Sequence, residues 1–324
     1  MDDIKNLQLL FTNYLNKNRF DENPKELYEP NNYFLSIGGK RIRPTMLLLG
    51  TQLFDKNPEI ALPAALSIEY FHNFTLIHDD VMDNASLRRG FVTIHEKYGL
   101  NTSILSGDVL LIKAYQYLSQ IDKQYLPFVF ELFNKTAIEV CEGQQMDMNF
   151  ETQDIVSLDD YLKMITLKTS VLLAVSLQIG AILGGASMND AEALYHYALN
   201  LGIAFQIQDD LLDTFGDGKK VGKKIGGDIL QNKKTLLSIR ALELELEEQK
   251  TAYQNLISTN KFENQEKINA VLEIYNHYNI KSFGELKRDE FVNKSILSLD
   301  KINFSPEKKQ KLKKLVTLLV YREL

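Results

Sequence analysis

Asp79-Asp80-Val81-Met82-Asp83-Asn84-Ala85-Ser86-Leu87-Arg88-Arg89-Gly90 places three carboxylates within five residues and two adjacent guanidinium groups just beyond them. The stretch closes a run, Leu62 to Ile77, in which most residues are apolar or small. Residues four apart on an α-helix share a face, so Asp79 and Asp83 point the same way, with Asp80 beside them. A dense oxygen patch of this kind favours Mg²⁺ or Ca²⁺ over softer metals. Arg88 and Arg89 suit a different partner, because planar guanidinium forks bind phosphate oxygens. Together they point to a phosphorylated ligand bridged to the protein by a divalent cation. One acidic cluster alone is equally well read as a solvated helix end. A repeat separates the two readings: Asp209-Asp210-Leu211-Leu212-Asp213 has the same spacing and closes a second apolar run, Leu201 to Ile207.

The rest of the chain reads as helix. No proline lies between Phe128 and Ser305, so nothing there forces a helix to break. Apolar residues recur at three- and four-residue spacing, as at Leu47, Leu48, Leu49 and Leu53, or Val171, Leu172, Val175 and Ile179. No alternating run bounded by turn residues stands out, so strands are not expected. Gly184-Gly185 ends one helix, Ser187 with Asp190 caps the next, and Ser305-Pro306-Glu307 starts the last. The expected helices run near 3–19, 25–37, 43–54, 62–83, 102–120, 125–148, 158–183, 188–215, 227–241, 243–258, 264–278, 282–296 and 306–322. With no linker, low-complexity tract or further repeat, the expectation is one all-α domain spanning residues 1–324.

Composition narrows the classes. The 324 residues are 44% hydrophobic, enough for a large core, and the net charge of −6 argues against a nucleic-acid partner. The single cysteine, Cys141, excludes an internal disulfide and fits a reducing compartment. Cys141 itself reads as a small buried helix residue. The start carries no signal-peptide apolar segment, and no run approaches the ~20 uninterrupted apolar residues of a membrane span. The expectation is a cytoplasmic protein.

Two buried helices that end in carboxylates imply a deep apolar well with its charge at the mouth. Basic residues complete that picture. Gly38-Gly39-Lys40-Arg41-Ile42-Arg43-Pro44 sets three cations at a helix start, where backbone N–H groups also favour anions. Lys168, followed by Thr169, falls mid-helix among apolar neighbours, a costly place for a lysine without an anionic partner. The glycine- and lysine-rich stretch from Gly216 to Asp228 includes Lys224, and Lys233 follows it. It lacks the GxxxxGK[ST] spacing of a nucleotide P-loop, and its place after the second acidic cluster suits a phosphate lid. A greasy well with a cation–diphosphate mouth fits a prenyl diphosphate.

With these segments in hand, the sequence resembles the trans-type isoprenyl diphosphate synthases of the polyprenyl synthetase family. The likeness covers nearly the whole chain through GGKRIRP at 38–44, HDDVMDNASLRRG at 78–90, GQQMD at 143–147, LKT at 167–169, FQIQDDLLD at 205–213 and KKIGGDILQNKK at 223–234. It implies an all-α isoprenoid synthase fold around a central cavity, with the two acidic motifs facing each other, and a homodimer. It implies an enzyme that condenses isopentenyl diphosphate with an allylic diphosphate (dimethylallyl, geranyl or farnesyl). By the same likeness Asp79 and Asp83 hold two Mg²⁺ ions and Asp209 a third, with Asp80, Asp210 and Asp213 beside them. Lys40, Arg43, His72 and Arg89 match the homoallylic diphosphate seat, and Arg88, Lys168, Lys224 and Lys233 the allylic one. Thr169 and Gln206 match positions that present oxygen dipoles to a developing cation.

Chain length of the product is expected to depend on bulk below the first motif. Phe74 and Thr75 precede Asp79 by five and four residues, ~6–8 Å deeper at ~1.5 Å per residue, and Phe71 and Tyr70 lie about a turn further. Phe74 beside a small Thr75, with no insertion in DDVMD, resembles geranylgeranyl more than farnesyl diphosphate synthases. An ideal helix turns Phe74 about 140° from Asp79, so its inward direction is implied by the likeness alone. A terpene cyclase shares the ionisation chemistry but usually lacks a second DDxxD and the GGKRIRP seat. A metal phosphohydrolase, prompted by His78-Asp79, leaves residues 205–234 unexplained. A regulatory subunit of a heteromeric synthase tends to lose the acidic motifs, and both are intact here.

Overall fold

A computed structural model of the chain describes residues 2–216, 226–258 and 263–321. Its helices are α1 (Asp2–Lys17), α2 (Lys25–Ser36), α3 (Ile42–Gln52), α4 (Leu62–Met82), α5 (Ile94–Tyr98), α6 (Leu100–Leu118), α7 (Leu126–Glu151), α8 (Leu158–Ile165), α9 (Val171–Leu183) and α10 (Met188–Phe215). After these come α11 (Gly227–Leu230), α12 (Leu236–Glu247), α13 (Ala252–Ile257), α14 (Asn264–His277), α15 (Ile280–Ser298) and α16 (Pro306–Leu319). The all-α expectation holds, and the foreseen helix ends are where they belong. Gly185 takes φ +86°, and Ala186 N–H donates back to Ala181 O at 2.9 Å, closing α9. Asp190 N–H donates to Ser187 Oγ at 3.1 Å, and Lys308 N–H to Ser305 Oγ at 3.4 Å.

The chain divides into two compact units, one formed by Met1–Asn134 with Val175–Glu192, the other by Lys135–Ala174 with Ala193–Leu324. The divisions fall inside α7, α9 and α10, so no linker composition marks them.

In the first unit α4 packs chiefly on α6, and its Ala64 to Phe71 are all buried. Two glycines bring α3 against the part of α9 in this unit. A Cβ on Gly50 would lie 2.5 Å from Leu177 O, and one on Gly180 would overlap the Leu47 carbonyl. Thr51 Oγ1 donates to Gly180 O at 2.9 Å, tying the same pair. In the second unit the Tyr197 hydroxyl donates to Leu312 O at 2.7 Å, and Ser295 Oγ to Tyr197 O at 2.9 Å, which fixes α10 to α15 and α16.

The structure departs from the sequence reading in several places. Residues 158–183 form no uniform α-helix: Thr166–Ser170 is a π-turn between α8 and α9. Leu87–Arg88 and Phe91–Val92 pair antiparallel, a hairpin too short to leave an alternating pattern. The helix expected at 227–241 is interrupted after Leu230, because Asn232 adopts φ +53° and Thr235 with Ser238 forms a new capping box. Cys141, expected to be buried, is exposed. The 26 residues Leu158–Leu183 are long and apolar enough by length and composition to cross a membrane, although Asp159, Asp160, Lys163 and Lys168 keep them from being an uninterrupted apolar run. Of an apolar 18-residue window within it, 78% is buried in the protein, so its apolar surface already serves the core.

A methyl group at position 180 has backbone in its way, so Gly180→Ala is expected to push α3 and α9 apart and cost ~1–3 kcal/mol. Thermal unfolding reads this directly; an unchanged Tm would show that the close approach is not needed.

Candidate active site

The first acidic motif lies where α4 ends. Asp79 and Asp80 are still helical, and Asp83 is the C-cap at φ −80°, its N–H donating to Asp79 O at 2.8 Å. Helical spacing thus persists through the motif. The hairpin that follows turns at Arg89 (φ +54°) and Gly90 (φ +80°), a two-residue loop with both central residues left-handed. This brings Arg88 back onto the helix end. Its Nε donates to Asp80 Oδ1 at 2.6 Å and its Nη2 to Asp79 Oδ2 at 3.1 Å. Asp80 is 1% exposed, its Oδ2 has no hydrogen-bond partner, and burial raises its pKa.

A cationic cluster accompanies it in the same unit. Arg43 Nη1 lies 3.1 Å from His72 Nε2. Arginine only donates, so this nitrogen accepts and the ring proton sits on Nδ1. Burial first, then the charges of Arg43, Arg89, Arg88 and Arg41, holds His72 well below the usual imidazole range, so it is neutral near pH 7. Burial and Arg89 likewise bring Arg43 down to about 10. Arg89 donates to Gly38 O, and Gly39 beside it adopts φ +145°, a backbone conformation that favours glycine. With Arg88 held by Asp79 and Asp80, the charges of Arg43 and Arg89 beside a neutral histidine make a receptive place for a polyanion. Arg41 has a separate partner, the buried Glu69, and it also donates to Leu35 O at 2.7 Å.

The second unit holds the other motif. Lys168 projects from the π-turn and meets Asp147 Oδ2 at 2.6 Å, the anionic partner its position called for. Two glycines let neighbouring helices reach this turn: a Cβ on Gly143 would lie 2.7 Å from the carbonyl carbon of Leu167, and one on Gly202 2.9 Å from Ser170 Cα. Thr169 Oγ1 donates to Gln206 Oε1 at 3.5 Å, and Gln206 Nε2 to Asp210 Oδ1 at 3.4 Å. Asp210 is 4% exposed; burial and the nearby Asp228 push its pKa up to about 8, against the pull of its donors. Asp213 accepts the Asp228 N–H at 2.9 Å and, through its own carbonyl, the Gly226 N–H at 2.7 Å. Asp209 is half-buried and Lys233 exposed. Lys224 and the stretch 217–225 lie outside the described residues.

Within the first unit, then, Asp79, Asp80, Arg88, Arg89, Arg43 and His72 come together, with the exposed Lys40 on the same turn as Gly39. Lys168, Thr169, Gln206 and Asp210 are linked in the second. Below the first motif, Phe74 meets the His78 ring edge-on at 4.8 Å and Phe71 at 5.7 Å, and Phe71 packs on Phe133 at 5.4 Å. Thr75 Oγ1 donates back to His72 O at 2.8 Å. Tyr70 turns elsewhere: its hydroxyl donates to Asn18 O and its ring stacks on Phe20. His78 Nε2 faces Ile104 O at 3.1 Å, a structural contact. Sequence reasoning assigned nothing to Asp147, Glu69 or Tyr161. Glu69 carried a usable signal, a charge inside an apolar helix; Tyr161 carried none.

Among the described residues no three His, Cys, Asp or Glu side chains encircle a metal. A hard divalent cation still fits, because Mg²⁺ is usually held by one or two carboxylates together with substrate phosphates. Asp79 and Asp80 supply oxygen donors only, and the guanidinium between them shows that this helix end draws positive charge.

The chain matches the sequence profile of the family described as polyprenyl synthetase over residues 24–275. It is similar to the geranylgeranyl diphosphate synthase of Methanosarcina mazei, 44% identical over 222 residues, 68% of each chain. Among solved structures it is similar to a geranylgeranyl pyrophosphate synthase, with a TM-score of 0.94 and 39% identity over 99% of both chains. Another is the geranylgeranyl pyrophosphate synthase from Corynebacterium glutamicum, complexed with isoprenyl diphosphate and magnesium: TM-score 0.85, 27% identity, covering 99% of this chain and 98% of that one. The all-α isoprenoid synthase fold is common to them. On the match across most of its length, the chain belongs to the polyprenyl synthetase family.

Proposed function

We propose that the chain is a trans-prenyltransferase that joins isopentenyl diphosphate to an allylic diphosphate and releases a short all-trans prenyl diphosphate. Its main product is the twenty-carbon geranylgeranyl diphosphate, with the fifteen-carbon farnesyl diphosphate next. The observation that carries this reading is the helix end where Arg88 clamps Asp79 and Asp80, with Arg43, Arg89 and Arg41 also acting on a neutral His72. Carboxylates for a divalent cation and guanidiniums for phosphate are what a diphosphate ester requires. The relative holding isoprenyl diphosphate and magnesium supports both halves.

In this reading Lys40, Arg43, His72 and Arg89 seat the homoallylic diphosphate. Arg88, Lys168, Lys224 and Lys233 address the allylic one. Asp79 and Asp83 would hold two Mg²⁺ ions and Asp209 a third, with Asp80, Asp210 and Asp213 next to them. Bound Mg²⁺ supplies a Lewis acid that draws charge from the leaving diphosphate. The allylic C–O bond breaks with its electron pair going to diphosphate oxygen, and Lys168 and Arg88 stabilise that charge as it forms. Thr169 and Gln206 turn oxygen dipoles toward the allylic carbon. The alkene of isopentenyl diphosphate supplies the electron pair for the new C–C bond, and the departed diphosphate takes the proton that restores a double bond. Holding both partners in contact supplies much of the rate, and apolar walls keep water from the cation.

Phe74, half-buried against Phe71 and His78, forms the floor that limits elongation, with Thr75 and Phe71 shaping it. The protein acts as a homodimer. Leu100, Ile104, Leu105 and Ile112 on α6, with Phe128 and Phe130 on α7, are 40–66% exposed and form apolar surface a second copy would cover.

Incubation with isopentenyl and farnesyl diphosphates, followed by chromatography of the dephosphorylated products, tests the reaction. A twenty-carbon alcohol is expected; a hydrocarbon formed from the allylic diphosphate alone would instead identify a cyclase. Asp79→Ala is expected to lower turnover by about 10²–10³ with Tm preserved, and near-normal turnover would contradict the assignment. Phe74→Ala is expected to lengthen the product. An unchanged product spectrum would remove Phe74 from the floor.

A further inference from the structure

Tyr161 lies on α8, outside every motif given a role above, yet its side chain ends on the second acidic cluster. The residue is 2% exposed and its hydroxyl donates to Asp210 Oδ2. The same oxygen accepts the backbone N–H of Leu236, the first residue of α12, at 3.4 Å. The other oxygen, Oδ1, accepts from Gln206 Nε2, and the far end of that amide accepts from Thr169. Four segments therefore meet through one carboxylate: α8, the π-turn, α10 and the start of α12. Both oxygens of Asp210 are occupied by protein donors, in a place that is 4% exposed.

We propose that Asp210 is a hub that sets the direction of the Gln206 amide and anchors the start of α12, and that Tyr161 is the positioning residue that fixes this hub. The two ends of a glutamine amide have nearly the same shape and differ only in what they donate or accept. When Asp210 is ionised, its Oδ1 only accepts and so selects the NH₂ end of Gln206, which turns the carbonyl toward Thr169 and leaves its second lone pair for positive charge. Reversed, the amide would aim N–H donors at a developing carbocation. Tyr161 and Leu236 hold Oδ2, so Oδ1 stays on Gln206. In this role Asp210 does not ligate a cation. The catalytic part of the proposal rests on the prenyl-transfer reading; the hub itself does not.

Asp210→Asn makes the distinction sharp. With Tyr161 and Leu236 still donating to one side, the carbonyl of the substituted side chain must face them, and its NH₂ group must face Gln206. The Gln206 amide is then forced to turn over. Three full-length proteins, Tyr161→Phe, Asp210→Asn and the double variant, would be compared with the wild type. The measurements are kcat and KM for farnesyl and isopentenyl diphosphates, the Mg²⁺ concentration at half-maximal rate, Tm, and amide hydrogen exchange at Leu236.

Tyr161→Phe keeps the ring and is expected to lower kcat about tenfold, the scale of one lost hydrogen bond to a carboxylate, with both KM values held. Asp210→Asn is expected to lower kcat further without moving the Mg²⁺ midpoint, and the double variant to be no worse than Asp210→Asn. Leu236 exchange should rise in Tyr161→Phe. A Mg²⁺ midpoint raised about tenfold in Asp210→Asn would make Asp210 a ligand and overturn the hub. So would wild-type kcat together with unchanged Leu236 exchange in Tyr161→Phe. Should Asp210→Asn not fold, Tyr161→Phe decides alone. Should the wild type not condense the two diphosphates, the prenyl-transfer reading fails, and the exchange measurement still decides the hub.

Discussion

A carboxylate at the end of an apolar helix must be matched by positive charge or by hydrogen-bond donors, because its own surroundings offer little water. This chain poses that demand twice and answers it in two ways. At α4 the answer is ionic: one guanidinium bridges Asp79 and Asp80, while Asp80 keeps an oxygen without any hydrogen bond. At α10 the answer for Asp210 is neutral: a phenol, an amide and a backbone N–H. The difference bears on function. The carboxylates that Arg88 holds belong to the motif proposed above to meet a divalent cation, and Arg88 to the residues proposed to meet a phosphate. The donors around Asp210 are built into the fold and have nowhere to go.

The cationic side is arranged with the same economy. Burial, reinforced by the charges of Arg43, Arg89, Arg88 and Arg41, keeps His72 uncharged, so the ring adds a hydrogen-bonding surface without adding repulsion. Arg41 is withdrawn into a pair with Glu69, where it braces the turn that carries Lys40 and Arg43. A sequence motif that reads as three equivalent cations is therefore divided: Arg41 pairs with a buried carboxylate, while Arg43 meets a neutral histidine.

Much of this was legible from spacing. Proline placement and three–four periodicity marked the helices, and Ser187–Asp190 and Ser305–Pro306 marked helix starts that the hydrogen bonds bear out. Lys168 announced a hidden anion because a lysine among apolar neighbours is costly, and Asp147 is that anion. Other features left no local trace. A hairpin of two-residue strands has no alternation to detect, though it alone returns Arg88 to Asp80. Tyr161 looks like any core aromatic until its hydroxyl is seen to end on Asp210, a residue far along the chain. The break at Asn232 depends on a left-handed backbone residue inside a helix-compatible pattern. Tyr70 and Phe71 are neighbours in sequence, and only tertiary packing sends one toward Phe20 and the other toward Phe133.

The π-turn at Thr166–Ser170 bears on how this region tolerates change in length. A π-turn carries one residue more than an α-helix of the same rise, so it acts as an insertion already absorbed by the backbone. Deleting a single residue there would restore a straight α-helix and leave both flanks in register with their packing partners. The two polar side chains at its centre, Lys168 and Thr169, would be swung by about 100° around the helix axis. The scaffold would survive while the chemistry lost its aim, which makes this short segment a place where a one-residue deletion separates a folded descendant from an active one.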